Sequence, residues 1–218
     1  MIRESFEKNM QDLEDKLAEM VRLTDEVIVQ AYDALKMQDL DGAINVIEKD
    51  NEIDELEKEI NQMAIWLMAK EQPVARDLRR IIGIVKISSD IERIADYAIN
   101  MAKSTIVIGE RESLLYLTEL EPMKDVSLEM LHKSIEAFVK EDIALAKEVG
   151  ELDDQVDKHR KENYERLTSY LSEHPEETNQ LVQLLFINRF LERQADHITN
   201  VAESAAYLIK GKMYDLNI

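Results

Sequence analysis

One helical unit occurs twice in this chain, and this duplication restricts the fold more than any other feature of the sequence. A shift of 100 residues places segment 92–102 on segment 192–202, and six of the eleven paired residues are identical. A shift of 103 residues pairs the acidic and apolar positions of segment 39–54 with those of segment 142–157. The two shifts differ by three residues, which indicates a small deletion near residue 174, in a turn where changes of length are tolerated.

Each repeat is predicted to contain three long helices, because apolar residues recur every three or four positions. Five glycines, three prolines and 33% charged residues are typical of long helices joined by short loops. Pro73 is expected to begin the third helix, and Pro122 to bend or restart the fourth. The predicted fold is all-α, with two tandem three-helix bundles (1–108 and 109–218) of six long antiparallel helices. These helices are expected at about 5–37, 39–71, 73–108, 113–140, 142–172 and 176–210.

The composition excludes several classes of protein. Without cysteine, the chain has no disulfide, thiolate metal site or cysteine nucleophile. Its apolar runs fall far short of the ~20 residues that a membrane helix needs, and its polar N-terminus has no signal-peptide core. The net charge of −19 disfavours nucleic acids and anionic lipids as partners. We therefore expect a cytoplasmic protein with no direct membrane insertion and no nucleic-acid partner.

Pairs of acidic residues separated by four positions occur at equivalent places in both repeats. This spacing puts both carboxylates on one helix face, where like charges repel. The midpoint between the paired segments falls at Pro73 in the first repeat and between His174 and Pro175 in the second, and both are predicted turns. Antiparallel folding there brings the two pairs of each repeat to the same height. The pairs are Asp50/Asp54, Glu92/Asp96, Asp153/Asp157 and Glu192/Asp196.

Converging carboxylates form a hard, oxygen-rich ligand set, which suits Fe(III), Mn²⁺, Mg²⁺ or Ca²⁺ better than Zn²⁺. The eight acids are therefore candidate metal ligands. The competing interpretation is that they form ordinary surface ion pairs with Arg93, Arg189 and Arg193, which contribute little to stability. Helix capping explains Asp39 and Asp142 but not the acids within helices. The duplication and the matched heights favour metal binding.

Several other residues receive structural interpretations. His197 is expected to be a local residue of a helix surface, because Tyr97 takes its place in the first repeat. Trp66 and the ten methionines are expected to fill gaps in the core. A basic patch early in the third helix is expected to make ordinary surface ion pairs, with an acidic partner or phosphate as the alternative. This patch consists of Arg76, Arg79 and Arg80.

In combination, these motifs resemble the PhoU family of bacterial accessory proteins of phosphate-specific transport. The resemblance rests on the two three-helix repeats and on the Asp-x-x-Ile/Val-Asp patterns at 50–54 and 153–157. It rests equally on the Glu-Arg-x-Ala-Asp-x-x-x-Asn motifs at 92–100 and 192–200. It covers essentially the whole chain, and all eight acidic positions match.

The resemblance implies a cytoplasmic, non-enzymatic negative regulator, peripheral to the inner face of the plasma membrane. Such a protein links the phosphate ABC transporter to the sensor histidine kinase of the phosphate response, through contacts with the transporter's ATPase subunit and with the kinase. The family often forms homodimers. The resemblance also implies divalent or trivalent metal ions, including multinuclear iron clusters, at the eight acidic residues named above.

Two alternative functions remain open from the residues. The first is an enzyme of the di-iron carboxylate class, whose helical bundles carry Glu-x-x-His motifs. Ala95 and Ala195 stand where such motifs need histidine after Glu92 and Glu192, which argues against oxygen chemistry. The second is a helical adaptor that binds no metal and acts through its surfaces alone.

Overall fold

The computed structural model describes residues 2–109 and 114–211, and nearly all of that part of the chain is helical. Two short 3-10 turns interrupt the α-helices, at Leu115–Leu117 and Pro175–Glu177, and the described residues contain no strand. The predicted all-α fold of two tandem three-helix bundles is confirmed. No helix in the described part of the chain is long and apolar enough to cross a membrane. The α-helices are α1 (Ile2–Met37), α2 (Leu40–Glu48), α3 (Asp50–Glu71), α4 (Ala75–Ile108), α5 (Leu120–Lys140), α6 (Ile143–Glu173) and α7 (Thr178–Lys210).

The second helix of the first repeat is divided, which the sequence analysis did not predict. Lys49 separates α2 from α3, and its amide donates to the carbonyl of Val46, three residues back, at 3.2 Å. This is the tighter turn of a 3-10 helix. The equivalent helix of the second repeat, α6, continues without a break. The described residues therefore form seven α-helices, with α2 and α3 together in place of one predicted helix.

Two prolines mark helix boundaries in different ways. α3 ends at Glu71 and is followed by Gln72, whose φ of 47° is left-handed; Pro73 lies in the linker before α4 begins at Ala75. The prediction that Pro73 begins this helix is therefore wrong. Pro122 lies in the first turn of α5, where a missing amide removes no helical hydrogen bond. The helix begins at Leu120, after a 3-10 turn at Leu115–Leu117, and not at a bend or restart at Pro122. The predicted start of this helix, residue 113, lies outside the described residues.

Helices α4 and α7 form the centre of the molecule and pack against each other along much of their length. Helices α1, α2 and α3 pack on α4, while α5 and α6 pack on α7, so each repeat keeps its own helical bundle. Tyr97 and His197, which are equivalent positions, meet across this α4–α7 seam with ring centroids 5.8 Å apart. An approximate twofold axis that relates the two repeats therefore passes close to this pair.

The core is largely aliphatic, and two residues predicted to fill it, Trp66 and Met37, lie outside it. Trp66 is 48% exposed, with the Lys70 ammonium 4.3 Å from the centre of its ring. The prediction is wrong because Trp66 lies off the buried stripe of α3, which includes Ile60, Ala64 and Leu67. Among the methionines, Met10, Met20, Met101, Met123 and Met130 are buried, Met63 and Met68 are partly buried and Met37 is exposed, while Met1 and Met213 lie outside the described residues.

Candidate metal-binding face

The first carboxylate cluster lies where α3 and α4 fold back on each other. Helix α3 carries Asp50 and Asp54 one turn apart, and α4 carries its acidic pair with the same spacing. Burial, followed by the charges of Asp54 and Asp96, raises the pKa of Asp50 above its usual range. Burial and the charge of Asp96 raise the pKa of Glu92 to about 7, although Arg93 opposes the rise. The four acids of the first repeat therefore lie close enough to affect one another's pKa.

The second cluster repeats this arrangement on α6 and α7. Burial raises the pKa of Asp153 to about 7, and the charges of Asp196 and Asp157 add to the rise. Burial also raises the pKa of Glu192, to which Asp196 contributes in the same direction. Each cluster therefore contains one carboxyl group, Glu92 or Asp153, whose pKa is raised to about 7. Because the twofold axis relates the clusters, both lie on one face, formed by α3, α4, α7 and α6.

An arginine pairs with the same aspartate in each cluster. Arg93 Nη1 lies 3.2 Å from Asp96 Oδ2. Arg193 Nη1 lies 3.1 Å from Asp196 Oδ2. These ion pairs are the ones that the competing interpretation of the sequence requires. Since the paired side chains are 34–57% exposed, each pair contributes little to stability.

The second cluster is more strongly neutralised than the first. Arg189 Nη1 and Arg160 Nε lie 3.1 Å and 3.8 Å from Glu192 Oε1. At the equivalent positions the first repeat has Ser89 and Glu57, and Glu57 adds a negative charge to the first cluster. The two sites therefore differ in charge although all four predicted acids are present in each.

Sequence reasoning missed four charged residues that act on these clusters. They are Glu57 and Lys103 in the first cluster and Asp154 and Arg160 in the second. The positions of Glu57 and Arg160 follow from helical spacing, because each lies three residues after an acid of its cluster. The alignment by 103 residues pairs these two positions, so their opposite charge was visible as a difference between the repeats.

The donor chemistry of this face fits a hard cation, but the side chains are not arranged around one. Within the described ranges, no three acidic or histidine side chains stand together so as to hold a metal ion. Asp96 and Asp196 turn instead toward Arg93 and Arg193. Glu192 Oε2 is buried and accepts no hydrogen bond, and Arg193 Nε lies 3.8 Å from it. As placed, the described side chains of this face therefore do not surround a metal position.

His197 is not the local surface residue that the sequence predicts. Its Nδ1 lies 2.9 Å from Asp90 Oδ1 on α4, and its side chain is only 25% exposed. Asn200 also donates to Asp90 Oδ1, at 3.3 Å. The prediction is wrong because the partner of His197 lies on another helix, far away in the sequence.

The basic patch at the start of α4 is structural. Arg76 Nη2 lies 2.5 Å from Glu141 Oε1, and Arg80 Nε lies 2.5 Å from Glu14 Oε1. The predicted ion pairing is confirmed for these two arginines. Arg79 Nε, in contrast, is buried without a hydrogen-bond partner. The two pairs connect the beginning of α4 to α1 and to the end of α5.

Known proteins match the chain over its whole length. The family model described as the PhoU domain matches twice, over residues 17–105 and 120–205. A phosphate-specific transport system accessory protein PhoU homolog from Clostridium acetobutylicum is 38% identical over 100% of both chains. A homolog of the same description from Aquifex aeolicus is 37% identical and covers 94% of this chain and 93% of its own.

Two solved structures share the fold described above. The crystal structure of the phosphate transport system regulatory protein PhoU from Streptococcus pneumoniae has a TM-score of 0.89 at 28% identity, over 96% of this chain and 99% of that chain. PhoU from Pseudomonas aeruginosa also has a TM-score of 0.89, at 31% identity, over 95% of this chain and 100% of that chain. From the paired domain matches and these full-length relatives, we conclude that the chain belongs to the PhoU family.

Proposed function

We propose that this chain is a PhoU-type accessory protein of phosphate-specific ABC transport and a negative regulator of the phosphate-starvation response. It acts through contacts with the ATPase subunit of the transporter and with the phosphate-responsive sensor histidine kinase. It does so as a homodimer in the cytoplasm, at the inner face of the plasma membrane. The observation that carries the proposal is the full-length match to relatives described as phosphate-specific transport accessory proteins.

Contacts, and not turnover, are the basis of this role. The two carboxylate clusters could hold metal, but Ala95 and Ala195 stand where di-iron bundle enzymes carry histidine ligands. The acids lie on an open face between helices, a location suited to binding another protein. These features favour a regulator over the di-iron enzyme.

Metal binding forms the second part of the proposal. The clusters would hold hard divalent or trivalent cations, iron among them, and a bound cation would neutralise the crowded carboxylates. The raised pKa values of Glu92 and Asp153 support this assignment, because they reflect repulsion and burial that a cation relieves. By gaining or losing such a cation, the protein would change the charge of this face between a metal-bound and a metal-free state. The ligands are Asp50, Asp54, Glu92, Asp96, Asp153, Asp157, Glu192 and Asp196.

The regulatory part is tested by a pull-down of the ATPase subunit and of the kinase with the purified chain, at high and at low phosphate. We expect both partners to be retained at high phosphate. Absence of both interactions at high phosphate would overturn the proposal.

The metal part needs a separate measurement. Elemental analysis of protein purified without chelator should find metal in the wild type and less metal in Asp54→Ala/Asp96→Ala. Equal, negligible metal in both proteins would favour the adaptor that binds no metal. Oxygen consumption by iron-loaded protein would favour the di-iron enzyme instead.

A further inference from the structure

A row of aromatic rings crosses the seam between α4 and α7 on the same face as the carboxylate clusters. Phe186 and Phe190 are stacked, with centroids 6.4 Å apart. Phe190 lies 6.2 Å from Tyr97, which in turn lies 5.8 Å from His197. Phe186 is 49% exposed. At the same end of the seam Val107 is 52% exposed, and its carbonyl accepts a hydrogen bond from the first turn of α7.

The opposite end of the seam is polar. The 100-residue shift places Lys86 and Asp90 where the other end has the two phenylalanines. A cavity of about 330 Å³ opens there, and Tyr207 on its wall has the Lys86 ammonium 5.5 Å from its ring centre. The twofold symmetry of the fold is therefore broken along the seam. A ligand that lies along it meets an apolar half and a polar half, which fixes its direction.

Acidic side chains border the seam on both sides. Asp96 and Asp196 are the sequence neighbours of Tyr97 and His197, and both aspartates are 34% exposed. In the first cluster five carboxylates face two cationic groups, and in the second five face three. The first set comprises Asp50, Asp54, Glu57, Glu92 and Asp96 with Arg93 and Lys103; the second comprises Asp153, Asp154, Asp157, Glu192 and Asp196 with Arg160, Arg189 and Arg193.

We infer that this seam groove, formed by Phe186, Phe190, Tyr97, His197 and the two flanking carboxylate clusters, binds a cationic amphipathic helix of a partner protein. The apolar stripe of such a helix covers the row of rings, and its lysines and arginines lie over the clusters on either side. A helix is ~10–12 Å across with its side chains, which allows one to contact both flanks of a helix-lined groove. The inference rests on the proposed function, because it names the surface through which the regulator meets a partner.

Charge complementarity selects this occupant over two others. A second chain of the same protein also carries a net charge of −19, so its approach to an acidic face is repelled. An anionic lipid surface is repelled for the same reason. A cationic helix gains from both the rings and the carboxylates, and basic residues of a partner compete for the same acids as metal ions.

The probe for this groove is a helical peptide of about five turns, built from leucine and lysine so that leucine forms one stripe. A peptide of the same pattern with glutamate in place of lysine serves as the control ligand. Fluorescence anisotropy of the labelled peptides measures binding to the full chain. The wild type should bind the lysine peptide and not the glutamate peptide.

The decisive variant leaves the charge unchanged. Phe186→Ser/Phe190→Ser should weaken binding of the lysine peptide about tenfold or more, because exposed aromatic anchors contribute much of the energy of such contacts. The matched control is Trp66→Ser, which removes an aromatic side chain of similar exposure away from the seam. Circular dichroism must show that all variants keep the wild-type helical content.

Equal binding of the lysine peptide to all three proteins would overturn the inference, since attraction would then depend on bulk charge alone. Binding of the chain to vesicles of anionic lipid, lost in the phenylalanine variant, would overturn it in favour of a membrane. The pull-down separates this inference from the function on which it rests. Partners retained equally by wild type and by Phe186→Ser/Phe190→Ser would refute the groove and leave the regulator intact, whereas no partner binding by the wild type refutes the regulator.

Discussion

Arg160 Nε lies 3.8 Å from Glu192 Oε1, at the position that Glu57 occupies in the first repeat. One helix face therefore presents a positive charge to the second carboxylate cluster and a negative charge to the first. Arg189, which has Ser89 as its counterpart, adds to this difference. Because a guanidinium repels a cation at such distances, the two clusters should differ in their affinity for metal.

The first cluster should bind Mn²⁺ more tightly than the second. In isothermal titration, Asp54→Ala/Asp96→Ala should remove the tighter site, whereas Asp157→Ala/Asp196→Ala should leave it in place. Arg160→Glu should strengthen the weaker site by about tenfold, which corresponds to ~1.4 kcal/mol. Identical titration curves for the two double variants would contradict this account of the arginines.

Stability without added metal should fall as the pH rises toward neutrality. The pKa of Glu92 is raised from 4.5 to about 7 and that of Asp153 from 3.8 to about 7. At pH values between the ordinary pKa of each group and about 7, the folded chain binds more protons than the unfolded chain. The free energy of unfolding therefore decreases as the pH rises through this interval. Allowing for screening by solvent, we expect about 1 kcal/mol from each group.

Urea unfolding at about pH 5 and about pH 8 measures this effect. Glu92→Gln/Asp153→Asn should remove much of the difference between the two conditions. Glu55→Gln, an exposed change on α3, is the control and should leave the difference as it is in the wild type. A wild type that becomes more stable across this interval as the pH rises would show that the carboxyl groups are not crowded.

Most of the fold could be predicted from the sequence because helical periodicity and a duplicated unit determine helices and hairpins locally. The break at Lys49 could not, since the same apolar stripe continues through α6 without one. Trp66 was misplaced for a related reason. A stripe shows that a helix has a buried face, but a large apolar residue at its edge can still lie outside the core.

The candidate site could be predicted from the sequence only where both repeats carry the same residue types. All eight acids were proposed because both repeats contain them, and the hairpins bring the pairs near each other without surrounding a metal position in the described part of the chain. Arg160 was overlooked because the comparison looked for residues that are identical in both repeats. Arg160 matters because its counterpart in the first repeat, Glu57, has the opposite charge. The contact of His197 with Asp90 joins residues on α7 and α4, and a pattern within one helix contains no information on such a pair.

A buried asparagine in the second repeat should be important for stability. Asn163 is fully buried. Its side-chain Nδ2 donates to Asn188 Oδ1 at 3.0 Å, and its side-chain Oδ1 accepts a hydrogen bond from the backbone amide of Glu119 at 2.7 Å. Asn163→Ala leaves both partners unsatisfied and should lower the free energy of unfolding by about 2 kcal/mol. Asn179→Ala, which removes one exposed hydrogen bond of 3.3 Å, should cost less than about 0.5 kcal/mol. Similar losses for the two variants in urea unfolding would contradict this prediction.

Helices α4 and α5, which belong to different repeats, approach each other at Gly83 and Phe138. A Cβ atom on buried Gly83 would lie 3.0 Å from Cε2 of Phe138. Gly83→Val should therefore destabilise the chain by about 1–3 kcal/mol through overpacking. Adding Phe138→Leu should recover part of the loss in thermal unfolding, since the smaller side chain relieves the contact. No recovery, or no loss in the first place, would argue against this packing.

The proposal that this chain represses the phosphate-starvation response is tested most directly in the organism that encodes it. The measurement is the output of a reporter under a phosphate-starvation promoter, at high phosphate, with the gene for this chain deleted and then restored. We predict that the reporter is on after deletion and off again when the wild-type chain is supplied. A reporter that stays off without the chain, or on despite its restoration, would contradict the account.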